Sequence, residues 1–208
     1  MSVKKRILFL FTALAAILSL SACDMPLKIV GDIPEPADTV TAFFDNVCKG
    51  NFNKADECLS DMSLSMKNDI DGVFAQKLYS YLVESYKYKI NGDVSCSQLN
   101  ASCKVDFTYF DFNLISEDLK SMSTKLGKRY IAENREGYVE EKDGAVILTD
   151  DGAEKIAAEA LDELMKDSEK YCTSKTFDIK LKYNGSKWLI SITDDLFYAI
   201  SGGFDLED

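Results

Sequence analysis

The chain of 208 residues contains no histidine, one tryptophan and only three prolines. Without imidazole there is no Ser-His-Asp or Cys-His catalytic unit, no histidine general base and no His-ligated zinc. Positive charge is also in short supply. Twenty-four Lys+Arg face 35 Asp+Glu, a formal net charge of −11, which argues against a nucleic-acid partner because phosphates need clustered Lys and Arg. All three prolines (Pro26, Pro34, Pro36) fall before residue 37, so the remainder carries no such helix or strand breaker. What is present is ordinary for a globular protein: 46% apolar and 28% charged residues, a length that suits one domain with a tail or an insertion.

The N-terminus reads as an address. Lys4, Lys5 and Arg6 precede an apolar run from Ile7 to Leu20, which ends in Leu20-Ser21-Ala22-Cys23. The run is short for a membrane-spanning helix but suits the core of a signal peptide. Leu-Ser-Ala-Cys resembles a bacterial lipobox, in which small residues precede a cysteine whose thiol accepts a diacylglyceryl group and which becomes the mature N-terminus. The expectation is a lipoprotein signal peptide over 1–22, acylation (palmitate-type chains) at Cys23, a proline-containing tether over 23–36 and one folded domain over 37–208. Two or more acyl chains hold a protein on a bilayer, where one is marginal. Cleavage before Cys23 removes Lys4, Lys5 and Arg6 and takes the formal charge from −11 to −14. That acidity suggests a module held clear of an anionic envelope rather than lying on it.

Periodicity outlines the domain. Asp38 can cap a helix bearing Val40, Phe43, Phe44 and Val47, stopped by Gly50, and Asn51 can cap a second presenting Phe52, Ala55 and Leu59. A third stripe runs through Ile70, Val73, Phe74, Leu78, Tyr81 and Leu82, with Gly72 weakening its first turn. Alternation follows on Tyr86, Tyr88, Ile90, Val94 and Cys96, and again on Cys103, Val105, Phe107 and Tyr109. Pairing Ser97 with Ser102 sets Cys96 opposite Cys103, Val94 opposite Val105 and Ile90 opposite Tyr109. An earlier turn at Asn91-Gly92 competes but leaves very short strands. A helix is expected over about Ser116–Glu136. Residues 138–149 are ambiguous, and a strong helix opens at Thr149 or Asp150 with Ile156, Ala160, Leu161 and Leu164 inward. A closing hairpin turns at Asn184-Gly185, with Leu181 opposite Trp188 and Ile179 opposite Ile190. The fold class is therefore α+β: helices packed on a curved antiparallel sheet, with a helical insertion between two hairpins.

Two segments carry a family resemblance. Pro36 to Val40 through Phe43-Phe44, followed by Lys49-Gly50-Asn51-Phe52-Asn53-Lys54-Ala55, resembles the opening of nuclear transport factor 2-like (cystatin-like) domains. Tyr183-Asn184-Gly185-Ser186-Lys187-Trp188 is similar to their terminal Gly-x-x-Trp hairpin. The resemblance implies a cone whose sheet and helices can enclose an apolar pocket. Some relatives are ketosteroid isomerases that work there with an aspartate base and a tyrosine or protonated-acid donor.

On the inferred inward faces Tyr86, Tyr88, Tyr109 and Trp188 are the candidate pocket residues, against the plainer reading that they are core aromatics. Asp106 and Asp111 lie on or near the second strand without a role. Asp69-Ile70-Asp71-Gly72 has the look of a calcium loop, but Lys67 and Leu78 occupy ligand positions, so no metal site is assigned. Asp194, Asp195, Asp205, Glu207 and Asp208 read as solvated charge. Besides Cys23, the cysteines (Cys48, Cys58, Cys96, Cys103, Cys172) contain no Cys-x-x-Cys. Cys96 and Cys103 are a candidate disulfide in the inferred register, and the alternative is five free thiols. No catalytic residue and no cofactor are assigned. The expectation is a non-enzymatic binding or scaffolding lipoprotein, lipid-anchored on the outer face of a Gram-positive cell membrane, with an envelope protein or small apolar ligand as partner. A small isomerase-type enzyme using Asp/Tyr chemistry is the second expectation. A lobe feeding a transporter is weaker, since solute-binding proteins need more chain.

Overall fold

Proline lacks an amide hydrogen, and the first turn of a helix is the one place where that hydrogen has no partner to lose. The first helix accordingly opens at Pro36: α1 spans Pro36–Cys48 with Glu35 at its N-cap. This starts two residues before the expected cap at Asp38, and it moves the domain boundary outward, because the buried Pro36 belongs to the fold and not to the tether. The computed structural model describes residues 34–64 and 71–203, within a compact unit running from Pro34 to Asp208. The expected signal peptide, Cys23, the tether up to residue 33, Lys67, Asp69, Ile70 and the acidic tail Asp205, Glu207 and Asp208 lie outside the described residues.

Val40, Phe43, Phe44 and Val47 on α1 are fully buried, at the spacing that puts them on one stripe. Burial of side chains of this size stabilises a fold by about 1.5–3 kcal/mol each. The stripe lies across the inner face of a four-stranded antiparallel sheet. In chain order the rest is α2 (Phe52–Asp56), α3 (Val73–Ser85), β1 (Lys87–Ser97), β2 (Asn100–Phe110), α4 (Phe112–Ala132), a hairpin of β3 (Val139–Lys142) and β4 (Ala145–Leu148), α5 (Asp150–Leu164), a 3-10 segment Met165–Tyr171, β5 (Cys172–Tyr183), β6 (Trp188–Ser191) and α6 (Asp194–Ile200). The sheet order is β1-β2-β5-β6. The α+β class holds: helices cover a curved antiparallel sheet, and α4, the β3–β4 hairpin, α5 and the 3-10 segment form the helical insertion between the two main hairpins.

The registers differ from those expected, each for a local reason. In the first hairpin, Gln98 at a φ of 54° allows a two-residue turn, so Ser97 pairs with Asn100 and Cys96 with Ala101. Between Asn91 and Ser95 the strand bulges by two further residues, with Gly92 at a φ of 74° supplying the conformation an L side chain resists. Beyond the bulge Ile90 pairs with Val105 and Tyr88 with Phe107. The dipeptide Asn91-Gly92, a competing turn in the sequence, is thus a bulge. In the last hairpin the Asn184 side chain accepts the amides of Ser186 and Lys187, both at 3.0 Å. That makes a four-residue loop with Tyr183 opposite Trp188 and Leu181 opposite Ile190. Every slip is an even number of residues. Partners change while each side chain keeps its face.

Three further boundaries move. Asp111 caps α4 by accepting the Asn113 amide at 3.1 Å, so this helix begins and ends four residues before the expected span. Gly72 is the N-cap of α3 and not part of its first turn, and among the described residues of the expected stripe only Leu82 is buried. Thr193 caps α6 over Asp194–Ile200, making a helix where the sequence suggested only solvated acid. Residues 138–149 resolve as the β3–β4 hairpin, with Asp143 and Gly144 both at positive φ in its turn. Thr149 does cap α5, accepting the Gly152 amide at 3.0 Å.

Candidate functional site

The inner face of the sheet is an aromatic stack. Phe107, fully buried at the centre of β2, lies 5.5 Å from Phe44, 5.3 Å from Tyr86, 6.1 Å from Tyr109 and 6.5 Å from Phe177, measured between ring centroids. Phe44 in turn stacks on Tyr88 at 5.2 Å. Three of the four expected pocket residues (Tyr86, Tyr88, Tyr109) are therefore linked through the rings of Phe107 and Phe44. The fourth, Trp188, lies on the opposite edge strand beside Tyr183, at 5.4 Å, and does not join them. Its indole nitrogen donates to the Pro34 carbonyl at 2.7 Å.

The polar tips of these rings hold the structure together. The Tyr86 hydroxyl donates to the Ile200 carbonyl at the end of α6, and burial holds it well above the usual phenol range. The Tyr88 hydroxyl donates to Asp45 Oδ1 at 2.8 Å. Burial first, and then the hydrogen bond to Asp45 and its negative charge, push Tyr88 up to about 12. The Asp45 side chain is 47% exposed and lies 3.8 Å from Lys49. A carboxyl kept protonated as an isomerase-type donor needs apolar surroundings, and Asp45 sits at a wet rim.

Tyr88 supplies a pH prediction. Its pKa is raised above the unfolded tyrosine value of about 10, so its contribution to stability is complete below pH 10 and is lost as pH rises through about 12. Tyr88→Phe should leave neutral stability within about 1 kcal/mol and flatten the alkaline limb of a urea-stability profile between pH 10 and 12. An unchanged alkaline limb would show that Asp45 and Tyr88 do not meet.

The cysteines follow from the register. Cys96 is exposed near the hairpin tip opposite Ala101, whereas Cys103 is buried opposite Ile179 of β5. They are not cross-strand partners, so the geometry expected for their disulfide is not formed, and all five described cysteines are free thiols. Burial and then Asp45 raise Cys48 to about 11, and burial raises Cys58, Cys103 and Cys172. A raised thiol is protonated at neutral pH and a poor nucleophile. Among the described residues no group of three or more Cys, Asp or Glu side chains is placed to hold a metal. Asp106, without a role in the sequence, accepts from Thr176 Oγ1 at 2.6 Å.

The outer face of the sheet is the feature the sequence reading passed over. Its rungs run Lys87–Thr108–Ser174, Lys89–Asp106–Thr176, Asn91–Lys104–Asp178, Ser102–Lys180–Ser191 and Asn100–Lys182–Leu189. Most of these side chains are exposed and none is buried. Thr108 and Ser174 hydroxyls meet at 2.6 Å, and Lys104 lies 3.7 Å from Asp178. At the Lys87 end the face runs into a groove lined by Ser85, Lys87, Thr108, Ser168, Glu169 and Cys172. The signal was available: between the apolar positions of β2 and β5, nearly every alternate residue is Lys, Ser, Thr or Asp.

The fold and surface together define an α+β domain with a sheet covered by helices on one face and open and polar on the other. No family model and no curated protein matches the chain. Among solved structures it is similar to YcdA, a candidate lipoprotein from Bacillus subtilis, at 14% identity and a TM-score of 0.37, over 80% of this chain and 47% of that one. The chain thus spans about half the length of that protein. No helix among the described residues is long and apolar enough to cross a membrane.

Proposed function

We propose that this chain is a lipid-anchored protein of the bacterial cell envelope whose folded domain binds or scaffolds rather than catalyses. The observation behind the anchor is the succession of Lys4-Lys5-Arg6, the apolar run Ile7–Leu20 and Leu20-Ser21-Ala22-Cys23, in the order a lipoprotein precursor requires. Binding in place of catalysis is favoured by the absent histidine, by the hydroxyls of Tyr86 and Tyr88 committed to holding α6 and α1, and by the exposed carboxyl of Asp45. The nuclear transport factor 2-like reading is part of the same proposal. Its supports are the short turn Lys49–Asn51 between α1 and α2 and the closing hairpin that ends on Trp188. The outer face of a Gram-positive membrane is the location that goes with such an anchor.

The test is expression of the full chain in a Gram-positive host fed an alkynyl palmitate. The mature protein should begin at Cys23, carry the label and sediment with membranes, and Cys23→Ala should lose all three properties. A mature chain that begins elsewhere and carries no acyl group would overturn the anchor.

A further inference from the structure

We propose that the open face of the β1-β2-β5-β6 sheet docks on an anionic lipid surface through Lys87, Lys89, Lys180 and Lys182. The face carries five lysines against two aspartates, in a chain whose formal net charge is −11. Both aspartates are already engaged, Asp106 by Thr176 and Asp178 by Lys104. Among the described residues Lys104 is the one lysine of the five in an ion pair. The other four point a positive field outward from a face otherwise made mostly of hydroxyls and amides. The net acidity of the chain therefore says little about this side of it. A basic patch is attracted to an anionic leaflet over about one Debye length, near 10 Å at 0.1 M salt.

The occupant follows from charge and reach. A second copy docking by the same face would set lysine against lysine, which is repulsive. The inference rests on the anchor proposed above for its setting. Eleven residues run from Cys23 to Pro34, and at about 3.3–3.6 Å each they reach at most about 40 Å, so the domain never leaves the neighbourhood of the bilayer. Pro34 is held by the indole of Trp188 on β6, and β6 is the strand paired with the β5 residues Lys180 and Lys182. Pro34, the first described residue, therefore lies at the edge strand of this same sheet.

The experiment uses the unlipidated unit Pro34–Asp208, which is compact in its own right with its own core. It is sedimented with vesicles of phosphatidylcholine alone or with 30 mol% phosphatidylglycerol, at 0.1 and 0.5 M salt. Each lysine near such a surface is worth roughly five-fold in partitioning. Binding should appear on the anionic vesicles, vanish at 0.5 M salt, and fall by roughly 100-fold or more in Lys87→Gln/Lys89→Gln/Lys180→Gln/Lys182→Gln. The corresponding four arginine substitutions should keep it, as should Lys120→Gln/Lys125→Gln/Lys128→Gln on α4. Equal partitioning onto neutral vesicles would overturn the proposal, and so would equal losses in the α4 control. A folded arginine variant that fails to bind would also overturn it, as would a solution dimer that the glutamine variant dissolves. Because this arm contains no Cys23, failed acylation would retire the anchor while leaving the vesicle result standing.

Discussion

Replacing Phe107 by alanine should remove about 3–5 kcal/mol of stability. The ring is fully buried and touches Phe44 of α1, Tyr86, Tyr109 and Phe177, so truncation leaves a cavity walled by four other rings. The backbone around it is fixed from both sides, paired to Tyr88 on β1 and Lys175 on β5, and cannot collapse into the gap. Against a total of about 5–15 kcal/mol for a domain, at least about a fifth of the stability goes. The midpoint of thermal unfolding should fall on the order of 10 °C. The one tryptophan makes urea unfolding convenient to follow by fluorescence. A loss below about 1.5 kcal/mol would mean that the aromatic stack is not packed as described.

Trp188→Ala should cost a similar amount, about 3–5 kcal/mol, but for a different reason and with a different companion. The indole is buried against Tyr183 and donates to the carbonyl of Pro34. Trp188→Phe keeps most of the apolar area and deletes only the donor. Pro34 itself is exposed, so its carbonyl can turn to water, and the phenylalanine variant should lose only about 1 kcal/mol. The first turn of α1 should then exchange its amide hydrogens faster while the sheet amides stay protected. Equal losses in the two variants would show that the hydrogen bond, and not the packing, dominates at this site.

The sequence exposed the faces of this protein better than its partners. Every apolar position assigned inward on β2 and β5 is buried, because alternation reports which side of a sheet a residue occupies. It is blind to a slip of two. The Cys96–Cys103 pairing failed on that ground: a tight turn at Gln98-Leu99 moved the strand by an even step, which no pattern of polarity records, and the bulge after Asn91 moved Ile90 by another. Asn184-Gly185 misled in a similar way, since the Asn184 side chain gathers two amides and widens the loop. Helix α6 was hidden by its acidic opening, Asp194-Asp195, which is what a helix N-terminus prefers and also what a solvated loop looks like. Of the candidate pocket, the shared face of Tyr86, Tyr88 and Tyr109 was legible and the separation of Trp188 was not, because strand order enters only through long-range pairing. The lysine face went unread for a simpler reason: net charge averages over a surface, and a basic side disappears into an acidic total.

The two outermost strands have one more consequence. On β6 the main chain is already engaged, since the Ile190 amide donates to the Cys58 carbonyl at 2.8 Å and the Ser60 amide donates to the Ile190 carbonyl at 3.0 Å. On β1 the two-residue bulge after Asn91 breaks the straight run of unpaired amides and carbonyls, and Lys87 and Lys89 flank what remains. A neighbouring molecule looking for a strand to extend finds one border occupied and the other bent and charged. Neighbouring molecules are therefore protected against cross-strand aggregation by the same irregularity that upset the hairpin register.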